Sequence, residues 1–155
     1  MKRILHTLLF AAVATVCSLT SAQAQDPKAA NPWAVTLGAT SAQATFSTYM
    51  AIAELADLAG AKTYDKNKCI EFAGMYAKLT ENAKESLTDL LDSGKVNKDD
   101  EEALRQIVVI NDLLGKTAQG IITYLKDSSV ENEAAYQKAR QKSWKALSKF
   151  LGIEE

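Results

Sequence analysis

The chain has 155 residues, 47% of them hydrophobic and 24% charged, too apolar a composition for intrinsic disorder. Eighteen Lys and Arg against 19 Asp and Glu give a net charge of −1, so no global basic field recommends nucleic acid as a partner. Two prolines and seven glycines exclude collagen-like or proline-rich chains, and two cysteines cannot supply a multi-disulfide scaffold.

The first element in chain order is an address. Lys2 and Arg3 make a positive start, Ile4 to Leu19 an apolar stretch, and Thr20-Ser21-Ala22-Gln23-Ala24 a small-residue cleavage site. These are the three parts of a secretory signal peptide over residues 1–24, with cleavage expected after Ala24. A membrane anchor needs roughly 20 apolar residues. This run is shorter and is interrupted by His6 and Thr7. Val16 before Cys17 lacks the small residue of a lipoprotein signal.

The expected mature chain, residues 25–155, belongs in the periplasm or outside the cell. Removing 24 residues from 155 leaves 131, with a net charge of −3, Cys69 as the one cysteine and no histidine. An intramolecular disulfide is then excluded. So are Ser-His-Asp and Cys-His nucleophiles, His-ligated zinc and His-ligated haem. The side chain most used for acid–base work near neutral pH is missing as well. No cofactor is expected, and the chain does not read as an enzyme.

Four helices follow, with approximate bounds 32–59, 66–93, 98–127 and 129–151. Asn31-Pro32 reads as a cap followed by proline in the first turn, and Gly60 as the residue that ends this helix. Its apolar positions include Ala34, Ala42, Phe46, Tyr49, Ala53 and Ala56. Asp65 caps the second helix, which stops at Ser93-Gly94. Asn97 caps the third, and Asp99, Asp100, Glu101 and Glu102 suit the positive end of its dipole. Ser128-Ser129-Val130-Glu131 has capping-box spacing for the fourth, which stops at Gly152.

Apolar spacing within these bounds is helical throughout. The second helix repeats Cys69, Phe72, Tyr76, Leu79, Ala83, Ser86 and Leu90 by threes and fours. The third repeats Leu104, Ile107, Asn111, Leu114, Ala118, Ile121 and Leu125. The fourth shows Tyr136, Arg140, Trp144, Leu147 and Leu151. Such alternation packs helices side by side at shallow angles. Short loops favour antiparallel neighbours, so the expected fold is all-α, a single up-down-up-down antiparallel four-helix bundle. A chain of this length can bury roughly two thirds of its unfolded surface and needs neither metal nor disulfide to fold.

Few motifs carry chemistry. Gly115-Lys116-Thr117 resembles the tail of a P-loop, but Ile110 stands where that motif needs glycine and no strand precedes it. Glu54/Asp57, Glu81/Glu85 and Asp89/Asp92 have one-face spacing without histidine, which fits solvated faces better than a metal site. Cys69 lies on an apolar stripe as a small buried hydrophobe; its functional alternative is an intermolecular disulfide. Its place near a helix start would tend to lower the thiol pKa. Trp33 and Trp144 read as packing residues, Trp33 with the option of partial exposure.

Two polar residues sit where the stripes predict core. Asn111 and Arg140 either fix helix register or form, with Tyr49, Tyr76 or Tyr124, the polar floor of a ligand cavity. Lys138, Lys142, Lys145 and Lys149 share one face of the last helix. A solvated face is the favoured reading; contact with an anionic membrane surface is the alternative. The functional expectation is an exported, non-enzymatic bundle acting in protein–protein interaction or as an accessory of the cell envelope, as a homo-oligomer or with another protein. The alternative is a small-ligand-binding or sensory bundle with a polar layer in its core.

Overall fold

The computed structural model describes residues 32–153. The chain divides into two compact units, residues 1–39 and 40–155. Of the first unit only residues 32–39 are described, as the opening turns of a helix. The expected signal peptide over residues 1–24, with His6 and Cys17, lies outside the described residues, as does Asn31.

The described residues form four α-helices and no strand: α1 Pro32–Gly60, α2 Lys66–Asp92, α3 Lys98–Lys126 and α4 Val130–Leu151. No helix among them is long and apolar enough to cross a membrane. Local chemistry sets the bounds. The Asp65 carboxylate accepts from the backbone N–H groups of Asn67 and Lys68. The Asn97 side chain accepts from Asp100 N–H at 3.0 Å. These bonds satisfy amides that the first turn leaves without partners.

Two boundaries differ in detail from the sequence expectation. Gly60 is the last residue of α1, but the left-handed residue that turns the chain is Lys62, at φ 53°. The carbonyl of Leu58 accepts from Thr63 and Tyr64, which holds the turn without a glycine. At α4 the cap is Ser129, whose hydroxyl accepts from Asn132 N–H, and Asn132 reaches back to Asp127. Gly94 and Gly152 both have positive φ and end α2 and α4 where the sequence places the stops.

The core lies along α3. Leu104, Ile107, Asn111, Leu114, Ala118, Ile121 and Leu125 are all buried, so its expected stripe faces inward over its full length. Full burial of each large aliphatic side chain contributes about 1.5–3 kcal/mol. α3 packs closely against α2 on one side and α4 on the other. Gly115 permits the first approach: a Cβ there would meet Thr80 Oγ1 at 3.1 Å. Gly120 permits the second, with Tyr136 Cα 3.4 Å from where its Cβ would stand. The buried hydroxyls of Thr117 on α3 and Ser143 on α4 lie 2.7 Å apart in a hydrogen bond. From α1, Tyr49, Ile52 and Leu55 join the same apolar cluster.

The other stripes need correction. On α2 the buried line is Cys69, Ala73 and Thr80, while Leu79 and Ser86 are exposed. The inward face is rotated from the expected one because close packing on Gly115 selects small residues, leaving larger ones at the edge. On α4 Ser143 and Leu147 are buried, whereas Trp144 is 38% exposed and packs at the rim, its ring tilted against Tyr49 of α1.

Candidate functional site

The polar residues that the stripes place in the core do not form one layer. Asn111 is 7% exposed, and its Nδ2 donates to the carbonyl of Ile107 one turn back at 2.9 Å. The amide is thus held by its own helix and not by Arg140. Levels along the helices explain the separation. Gly120 faces Tyr136 and Thr117 faces Ser143, while Val109 and Ala146 border one groove. Asn111 therefore stands below Ser143, roughly 10 Å along the axis from Arg140 at 1.5 Å per residue. Tyr76 is half-buried on α2 against the apolar cluster, and its carbonyl accepts from Thr80 Oγ1.

Arg140 instead belongs to an aromatic group between α1, α3 and α4. Tyr136, Arg140 and Trp144 follow one another by fours on α4, so their side chains are neighbours along one face. Tyr124 of α3 lies parallel to Tyr136, with ring centroids 6.2 Å apart and an interplanar angle of 3°. Tyr49 of α1 packs on Trp144 at 5.3 Å and 35°. Tyr136 is fully buried, and its hydroxyl has no hydrogen-bond partner. Leaving such a group unpaired costs about 1–3 kcal/mol.

Electrostatics tie this group together. Burial pushes the Tyr136 phenol above its usual range, opposed by the positive charge of Arg140 beside it. The guanidinium comes near the hydroxyl without making a well-formed hydrogen bond to it. Burial works against the charge on Arg140 as well. The neighbouring Tyr49 side chain, then Tyr136 and Asp57, outweigh it and hold the guanidinium pKa above its ordinary value. Arg140 forms no ion pair within 4.0 Å among the described residues. The sequence places Arg140, Tyr49 and Tyr124 in a polar layer, but reads Tyr136 only as part of the core stripe and Asp57 only as part of a solvated face. The i, i+4, i+8 run of Tyr136, Arg140 and Trp144 was the available signal.

Cys69 is a buried free thiol in the first turn of α2. Burial and the Asp65 carboxylate raise its pKa, opposite to the lowering expected from a helix start. The capping carboxylate occupies the very end of the helix that would otherwise stabilise a thiolate. Lys138, Lys142, Lys145 and Lys149 are all exposed. They point away from the buried line of Tyr136, Ser143 and Leu147, so the apolar side of α4 is already covered by the protein itself. Gly115-Lys116-Thr117 lies inside α3, with Thr117 Oγ1 donating to the Leu113 carbonyl. No group of three His, Cys, Asp or Glu side chains able to hold a metal occurs among the described residues.

An open groove runs between α3 and α4, bordered by Arg105, Val109, Ala146 and Lys149. None of Asn111, Arg140, Tyr76 or Tyr124 lines it. A second surface feature stands on α2, where Met75 and Leu79 are 60% and 56% exposed one turn apart, beside half-buried Phe72. No family model, curated protein or solved structure matches the chain.

Proposed function

We propose that the protein is an exported, non-enzymatic four-helix bundle of up-down-up-down antiparallel topology that acts by binding another polypeptide, a second copy or a different protein, as an accessory of the cell envelope. The topology is supported by two series of contacts. Thr80 and Lys84 of α2 meet Gly115 and Asp112 of α3, and Tyr136 and Ser143 of α4 meet Gly120 and Thr117. In both, one number rises as the other falls.

The Phe72–Met75–Leu79 ridge carries the partner reading. Leu79 belongs to the apolar pattern of α2 and Met75 adjoins it; both are exposed, while Phe72 beside them packs against the chain's own core. Adjacent exposed apolar side chains on a regular helix suit a helix-to-helix contact. The test is light scattering of chromatographed protein isolated from its own host, compared with a Met75→Glu/Leu79→Glu variant. The reading expects a stoichiometric complex for the wild type and its loss in the variant, with unchanged helicity. A lone wild-type monomer, or a complex indifferent to both charges, contradicts it.

The unpaired Tyr136 hydroxyl favours a second reading, a small-ligand-binding bundle. Its polar layer is Tyr49, Tyr124, Tyr136 and Arg140, with Asn111 held apart by its own helix. Native mass spectrometry of host-purified protein tests it: a bound small molecule supports the reading and an empty chain opposes it.

A further inference from the structure

We propose that Arg140, together with the hydroxyls of Tyr136 and Tyr49, forms a binding site for a small organic monocarboxylate whose apolar part lies against Trp144; this rests on the small-ligand reading above. The donor set makes the case. A guanidinium offers five N–H donors in a planar fork and no acceptor. Tyr136 is wholly buried with its hydroxyl unpartnered. Arg140, one turn along the same face, has no carboxylate within 4.0 Å among the described residues. Tyr49 approaches from α1, its ring packed against Trp144 with centroids 5.3 Å apart and planes tilted by 35°. The Tyr49 hydroxyl oxygen is within reach of the guanidinium, but the buried Tyr136 O–H has no acceptor; a carboxylate supplies one, with a second oxygen for the guanidinium fork.

Surrounding groups narrow the ligand. Asp57 on α1 is close enough to act electrostatically on both Tyr136 and Arg140. Its negative charge disfavours a dianion such as phosphate beside it. Aromatic rings on either side, Tyr49 with Trp144 and Tyr124 with Tyr136, suit a flat or apolar body. Partly exposed Trp144 marks the side from which the ligand would enter.

Calorimetric titration of the mature chain with benzoate, and separately with inorganic phosphate, tests the site. Benzoate should bind at one site per chain and more tightly than phosphate. Tyr136→Phe keeps the ring packing and should weaken benzoate at least tenfold, and Arg140→Gln should abolish binding, both with wild-type helicity. Tighter phosphate binding, or benzoate binding untouched by either variant, overturns the proposal. So does absence of benzoate binding, or a crystal structure with benzoate present in which Asp57 or a water alone accepts from the Tyr136 hydroxyl. If native mass spectrometry shows a different bound molecule while benzoate fails, the carboxylate assignment falls and the ligand reading stands.

Discussion

Individual side chains in this protein are governed by where their polar atoms find partners. Asn111 is buried but bonds back to its own helix, so no distant residue depends on it. Asn111→Leu should therefore fold and melt no lower than wild type, with a gain of up to about 1 kcal/mol by circular dichroism. A drop in melting temperature would show that the amide has a cross-helix role. Cys69 is buried with a raised pKa, so its thiol should stay unreactive to an aromatic disulfide reagent at pH 8 until denaturant is added. Rapid labelling of the native chain would contradict that burial.

Asp112 gives the pH dependence. Hydrogen bonds from Lys116 and Lys84 hold its carboxyl below the usual range, against the opposing effect of burial. A lowered folded pKa means that its contribution is complete above the unfolded value, about 3.9, and is lost as pH falls through the folded value. The carboxylate is partly exposed, which limits the effect to about 0.2–1 kcal/mol. Urea melts at pH 7 and pH 2.5 should show Asp112→Asn losing less stability on acidification than wild type. Equal losses would remove Asp112 from the account.

Among the helices, α3 is the axis of the fold, and its two glycines set the distances. Gly115→Val should place methyl groups against Thr80, whose hydroxyl is tied to the Tyr76 and Ala77 carbonyls and cannot easily move away. Overpacking of this kind costs about 1–3 kcal/mol, visible as a lowered denaturant midpoint. An unchanged midpoint would mean that α2 and α3 can part without loss. The sequence marks of α3 were legible because its neighbours bury it on two sides, so every position of its stripe from Leu104 to Leu125 is buried. The stripe of α2 was not. Period alone places Leu79 inward, whereas the Thr80–Gly115 contact turns the helix toward its small residues, and that contact involves a partner 35 positions away. Asp65, Asn97, Gly94 and Gly152 were readable as caps and stops because their chemistry is local. The Arg140 site was only half legible: α4 spacing joins Tyr136 to Arg140 and Trp144, but the nearness of Tyr49 and Asp57 depends on tertiary packing.

At the scale of the whole molecule, α2, α3 and α4 converge on one core, yet α2 leaves Leu79 of its apolar pattern, and Met75 beside it, exposed. The uncovered side chains of α2 are the surface on which the proposed partner would dock, and the unpaired Tyr136 hydroxyl is the basis of the proposed ligand site. Native mass spectrometry of the protein purified from its own host puts binding to the most direct test. The expected result is a polypeptide beginning at Gln25, held in a fixed-stoichiometry complex that Met75→Glu/Leu79→Glu dissolves. A chain that retains residues 1–24, or a mature chain that flies alone as a bare monomer, would contradict it.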